Sequence, residues 1–226
     1  MSRSAKLHWL ISCFSVLLAS LLFSATLAPD SVSAPAFQLV NLALFVSLAC
    51  YLLLPGADSL KAVLVNSASG VILFVLLSRM PVTAAVPTTI LLQICIMIFC
   101  LGMLLWSLTQ LCEHLFPEHN SPRVSVTLLA AIITSTPLWM GPLADIYQAG
   151  DVLVNGVVAI NPLTHFSVAA EYDYLRSEWL YQNSAFGSLP FAYPGLIGIT
   201  VFYTIFVFTV QLVLRGVTRH SRIPKS

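Results

Sequence analysis

From Thr88 to Cys112 the chain reads TTILLQICIMIFCLGMLLWSLTQLC, without one acidic or basic residue. A bilayer core about 30 Å thick is crossed by roughly 20 apolar residues of helix. This run is long enough to cross. Five more runs meet the test or come close: Leu7–Ala28, Phe37–Leu54, Leu60–Leu77, Val124–Tyr147 and Tyr193–Leu214. The second and third spans are joined by the tight PGADS connection and predict a helical hairpin. Only 8% of the residues are charged and 58% are hydrophobic, against about 25% charged in a soluble domain. Too few charges remain to solvate a globular surface, so lipid is the main solvent. The expected fold is all-α: one domain over residues 1–226, a polytopic bundle of six transmembrane helices. An amphipathic or re-entrant helix is expected on the outer face between helices five and six, within residues 148–192.

Two N-terminal patterns imitate processing sites. LISC (Leu10–Cys13) has the form of a lipoprotein box, but the hydrophobic run follows it instead of preceding it. SVSA (Ser31–Ala34) has the form of a signal-peptidase site, but the run from Leu7 is longer than a signal core. The first run is therefore expected to be a retained span. Basic residues set the orientation. With the N-terminus in the cytosol, eight of the ten Lys and Arg residues fall inside: Arg3, Lys6, Lys61, Arg123, Arg215, Arg219, Arg222 and Lys225. Only Arg79 and Arg176 fall outside. Six of the nine acids lie outside as well. Both termini are expected in the cytosol of a cell membrane, with a bacterial inner membrane as the expected location.

The outer segment holds INPLTHFSVAAEYDYLRSEWLYQNS, Ile160 to Ser184. Asn161-Pro162 is a helix start, because Asn caps and Pro is tolerated at the first helical position. Phe166, Ala169, Ala170, Tyr174 and Leu175 form one stripe that continues to Trp179. Glu171, Asp173, Arg176 and Glu178 fall mostly on other faces, and Asp173 and Arg176 are spaced to pair. Rings such as Tyr172, Tyr174, Trp179 and Tyr181 favour the membrane interface. The segment is expected to lie on, or dip into, the outer surface as a gate, a docking face or simple packing. In the fifth span, TSTPLWMGPLAD (Thr134–Asp145) places Pro137 and Pro142 inside a helical pattern. Each removes a donor and clashes with the preceding turn. The freed carbonyls need partners in lipid, for which Thr134, Ser135 or water are available. A kink near Thr134–Pro137 follows, either as a hinge or as an ordinary bent helix. NSASG (Asn66–Gly70) favours close helix packing in the third span, and Asn66 can bond across that interface. Gln93 is expected to face the bundle.

Several functions are disfavoured. Net charge +1 without a basic patch argues against nucleic acid. Cys13, Cys50, Cys95, Cys100 and Cys112 have no metal-ligand spacing, and no metal or cofactor is expected. No histidine sits at a span centre to hold haem. SASG (Ser67–Gly70) lacks the first glycine of an intramembrane serine nucleophile, and the chain has neither H-E-x-x-H nor a phosphate loop. An enzyme is not expected.

With six spans, cytosolic ends and the outer segment that begins NPLTHF (Asn161–Phe166), the layout resembles the membrane subunit of an ABC-2-type transporter. The resemblance covers the whole chain as topology. It implies a permease-like subunit paired with other membrane subunits or a second copy, and driven by a separate cytosolic ATPase. The chain departs from the family in its short N-terminal lead and its short Leu54–Ala62 connection; the longer Glu113–Arg123 loop is the other cytosolic surface. The residues expected at a gate or partner surface are Thr134, Pro137, Pro142 and Asp145 in the fifth span. In the outer segment they are Asn161, Pro162, His165, Glu171, Asp173, Arg176, Glu178 and Trp179. The alternative is a non-catalytic scaffold subunit of a larger membrane complex. The topology predicts that Ser184→Cys reacts with an impermeant thiol reagent added outside whereas Ser221→Cys does not. The reverse pattern overturns the orientation.

Overall fold

The structure, a computed structural model, describes residues 12, 34–54, 59–78, 86–118, 121–139, 151–177 and 191–220. Among these, regular structure is helical throughout: α1 (Ala34–Leu53), α2 (Leu60–Ser78), α3 (Thr88–Leu115), α4 (Pro122–Thr134), α5 (Asp151–Ile160), α6 (Pro162–Ala169), a 3₁₀ turn (Tyr174–Arg176) and α7 (Leu196–His220). Four of them, α1, α2, α3 and α7, are long and apolar enough to cross a bilayer. The bent pair α5–α6 would make five if it counted as one span.

The expectation of six spans is therefore met only in part. Leu7–Ala28, apart from Ser12, lies outside the described residues. The fifth run does not form one helix there: α4 ends at Thr134 after 13 residues, Ser135 is a turn, and helix resumes at 136–139. Thirteen residues reach only about 20 Å. Pro137 is the physical reason, since it lacks the donor that would continue the ladder. Pro142 and Asp145 lie outside the described residues.

Helix α3 is the hub and packs against α1, α2, α4, α6 and α7. Helix α1 is the most enclosed candidate span, with 61% of its apolar window buried, whereas α7 has 17% and, among the described residues, packs closely on α3 and α6. The exposed residues of α7 include Ile197, Ile205, Phe208 and Leu212. An apolar outer surface of this kind suits lipid and not water. Polar side chains inside the helices are mostly turned back on their own backbone. The hydroxyls of Ser47, Ser69, Thr127 and Ser167 donate to the carbonyls of Ala43, Val65, Arg123 and Leu163 at 2.6, 2.7, 2.8 and 2.7 Å.

The bundle has two recognisable ends. At one, Tyr51 of α1 meets the Leu105 carbonyl at 3.0 Å and the Thr109 hydroxyl at 2.5 Å on α3. There Arg123 donates to the carbonyls of Tyr51 and Leu54, and its guanidinium lies 5.1 Å from the Tyr51 ring centroid. Helix C-termini leave carbonyls without intrahelical donors, and a cation there also suits the macrodipole. Arg123 thus caps α1 and fastens it to α4. At the other end, Tyr174 stacks on Phe37 at 4.9 Å and donates to Asn41 Oδ1 at 3.1 Å. Next to it, Tyr193 precedes α7.

The hairpin expectation for α1 and α2 agrees with their direct packing, and buried Asn66 has Nδ2 3.5 Å from the Leu54 carbonyl. The small residues explain how closely α2 approaches α3. A Cβ placed on Gly102 would stand 2.5 Å from Ser67 Oγ and 3.5 Å from Ser67 Cβ. In lipid, helices associate through such close packing, since there is little water to expel. Gly102→Leu is expected to destabilise the detergent-solubilised protein by about 1–3 kcal/mol through overpacking. Gly102→Ala combined with Ser67→Ala, which removes the conflicting oxygen, should unfold near the wild-type temperature. Equal thermal stability for the leucine variant would show that this contact does not limit packing.

Candidate functional site: a broken helix pair docked on a broken helix

Pro162 dictates the turn between α5 and α6. A residue before proline is driven to extended backbone, and Asn161 has φ −80° and ψ 122°. The chain bends by 71° there. Asn161 Oδ1 accepts from Leu163 N at 2.8 Å, which caps α6 as the sequence predicts. Its amide performs a second task that the sequence reading did not assign. Nδ2 donates to the Ile133 carbonyl at 2.9 Å and lies 3.4 Å from that of Thr134. Ile133 is four residues before Pro137, so its carbonyl is the one that proline cannot serve. The expected partners for the break are thereby corrected. Thr134 Oγ1 donates instead to Ala130 O at 2.7 Å and Ser135 Oγ to Ile132 O at 2.9 Å. Asn161 is wholly inaccessible to solvent.

His165 serves the other break. Once Leu163 N turns to the Asn161 side chain, the Ala159 carbonyl needs a donor, and His165 Nε2 stands 2.8 Å from it. A carbonyl only accepts, so Nε2 carries the proton and Nδ1 accepts from the Tyr203 hydroxyl at 2.8 Å. The His165 and Tyr203 rings meet edge to face at 5.2 Å. Two side chains of NPLTH thus supply donors to the interrupted ends of α4 and α5, and the second holds α7. Only 1% of His165 is exposed. The expected amphipathic surface helix over Asn161–Tyr181 is therefore corrected. The α-helix ends at Ala169, and all but Val168 of its residues are buried against α1, α3, α4 and α7.

Helix α5 and the residues that follow α6 both meet the segment that leads into α7. In the middle of α5, Asn155 Oδ1 accepts from Ala192 N at 2.9 Å. After α6, Tyr174 stands on Phe37, and Asp173 accepts from the Tyr193 hydroxyl at 2.6 Å. Ala192 and Tyr193 adjoin in sequence, so these contacts share one end. The pair has the form of either a broken span or a re-entrant turn, and its contacts hold it on both sides of the bend against the segment that leads into α7.

That end carries the charged residues. Arg176 Nη1 lies 3.4 Å from Asp173 Oδ2, as the spacing predicts, and Arg176 N donates to Asp173 Oδ1 at 3.1 Å. Both side chains are substantially exposed, so the ion pair contributes only about 0–1 kcal/mol. The Arg176 guanidinium also covers the Phe191 ring at 4.8 Å. Burial, reinforced by the bond to Asp173, pushes the Tyr193 hydroxyl well above its ordinary range. Burial likewise pushes Tyr174 up to about 12. Both remain proton donors at neutral pH. Glu171 closes α6 in the left-handed region at φ 51°, where glycine usually stands. Tyr172 N bonds Ser167 O at 3.0 Å and Glu171 N bonds Val168 O at 3.1 Å, completing the helix end. Glu171 and Asp173 line an open cavity of about 250 Å³ with Ser167, Tyr172 and Tyr193.

The structure therefore brings Thr134, Pro137, Asn161, Pro162 and His165 to one buried junction. Glu171, Asp173 and Arg176 gather at the bundle end. Glu178 and Trp179 lie outside the described residues. Tyr203 and Tyr193 escaped the sequence reading. Tyr203 is the one tyrosine within the Leu196–His220 helix, and a buried phenol needs a partner, which was the signal available. Among the described residues no group of His, Cys, Asp and Glu is arranged to hold a metal ion.

The junction generates a double-mutant prediction. Asn161→Ala leaves Ile133 O and Leu163 N unserved and should cost about 2–4 kcal/mol. Pro137→Ala restores a backbone donor for Ile133 O, so adding it should recover about 1 kcal/mol. Strictly additive losses in thermal or denaturant unfolding would contradict the assigned pairing.

No protein-family model matches the chain, nor does any curated protein or solved structure at a significant level.

Proposed function

We propose that the protein is a permease-like subunit of an ATP-driven transport or extrusion complex, with the ATPase on a separate chain. One observation carries the reading: a buried helix pair that starts at NPLTHF is docked through Asn161 on the break in α4. Broken helices inside a bilayer are costly unless the freed backbone is buried in protein or lines a water-filled path, and carriers place such breaks at their binding sites. In carriers such breaks let one part of the bundle move against another. Here α4 and the α5–α6 pair meet through a few hydrogen bonds, and the charged cavity with Glu171 and Asp173 opens beside Tyr193. The reading makes that junction the outer gate. It agrees with the ABC-2-like layout read from the sequence, in an inner membrane with cytosolic termini. Partner membrane subunits or a second copy would complete the path. The cytosolic surface for the ATPase would be the Glu113–Arg123 connection, where Leu115 and Phe116 stand exposed.

The test is to purify the protein with its native partners and cross-link it. A nucleotide-binding chain joined to the Glu113–Arg123 connection is expected. Pro137→Ala, which offers Ile133 O a competing donor, should change ATP turnover of that complex severalfold while expression stays normal. A partner found only along the lipid-facing sides, together with turnover indifferent to Pro137, favours a scaffold and overturns the gate.

A further inference from the structure

Helices α3 and α7 enclose a cavity of about 410 Å³ away from the α5–α6 pair's charged end. Both helices run from the Tyr193 end of the bundle toward the Arg123 end, and the lining changes along that direction. Phe99, Met103 and Val207 supply apolar wall, followed by Trp106, Gln211 and Arg215. The other hydroxyls on the wall are engaged: Tyr203 with His165 at 2.8 Å and Thr204 with the Thr200 carbonyl at 2.8 Å. Two buried polar atoms are not. Trp106 Nε1 and Gln211 Nε2 have no hydrogen-bond partner, and Trp106 is only 8% exposed. Both are donors, and an indole N–H does nothing but donate. Leaving a buried donor unserved is unfavourable. The occupant that suits this wall brings acceptors to Trp106 and Gln211, a net negative charge to Arg215, and hydrocarbon to the rest.

We propose that the α3–α7 cavity binds an anionic membrane lipid, with an acyl chain along Phe99, Met103 and Val207 and ester and phosphate oxygens toward Trp106, Gln211 and Arg215. A phospholipid meets each requirement, because its ester carbonyls and phosphate only accept while its chains are apolar. The site stands independently of the transport reading. It makes α7, which has few protein neighbours, a helix held partly by lipid.

Trp106 is its own reporter. In the full chain, Trp9, Trp139 and Trp179 are replaced by Phe, and the protein is placed in phosphatidylcholine nanodiscs. Mid-chain-brominated phosphatidylglycerol or brominated phosphatidylcholine is then titrated in. Half-quenching of Trp106 is expected at a roughly fivefold lower mole fraction of the anionic lipid, the preference one cation at a lipid surface supplies. Arg215→Gln should bring the two lipids together, and millimolar inorganic phosphate should leave the quenching unchanged. Equal quenching by both lipids in the unaltered cavity marks ordinary boundary lipid and overturns the proposal. So does relief by inorganic phosphate, which marks a free-anion site. Absence of quenching, as when another apolar segment of the chain fills the cavity, overturns it too. The lipid comparison uses the unaltered cavity, so its outcome does not depend on how well Arg215→Gln folds.

Discussion

A backbone carbonyl inside hydrocarbon has no water to turn to. That requirement organises this protein more than any single apolar contact. Each helix end within the bundle must be met by a donor from elsewhere, and the structure meets it with side chains. Arg123 serves the end of α1, Asn161 the end of α4, and His165 the end of α5. Every one of these reaches a different helix or crosses a break. The same bonds that satisfy the backbone therefore set how the helices sit. Asn161 is the most economical case, since one amide caps α6 with its oxygen and serves Ile133 with its nitrogen.

The consequence is an uneven bundle. Helices α1, α2 and α3 pack closely through Gly102, Ser67 and the enclosed face of α1. Helix α7 touches α3 and α6 and is otherwise turned outward. Its polar tie to the α5–α6 pair is the Tyr203 hydroxyl on His165. Three closely packed helices thus carry a less enclosed last helix and a docked, bent helix pair. The pair bears on α4 through Asn161 and on α7 through His165, so one short segment joins the two helices.

Much of this was legible in the chain. The unbroken apolar runs placed Phe37–Leu54, Leu60–Leu77, Thr88–Cys112 and Tyr193–Leu214 within a few residues of α1, α2, α3 and α7. Asn-Pro gave the start of α6, and Pro137 gave the break in α4. Helix α5 was missed because DVLVNGVVAI is too short to read as a span and carries no cap or charge pattern after its first residue. The burial of α6 was missed for a different reason. The amphipathic pattern over Asn161–Tyr181 drew its polar face from Glu171, Asp173, Arg176 and Glu178, all beyond Ala169, where the helix has already ended. The helix itself, PLTHFSVA, has no charged residue. Its His and Ser look like solvent-facing groups until their buried partners are known. Those partners are carbonyls at Ala159 and Leu163 and a hydroxyl at Tyr203, and no one-dimensional pattern names them.

The central claim is that the donors of Asn161 and His165 hold the bend between α5 and α6 inside the bundle; whether the pair then crosses or turns back is the part open to direct test. Side-specific labelling tests it most directly. With the native cysteines replaced by alanine, Asp151→Cys and Glu171→Cys bracket the pair. Both are predicted to react with an impermeant thiol reagent from one and the same side of sealed vesicles. Reaction from opposite sides would make the pair a spanning helix with a kink, and would contradict a re-entrant turn.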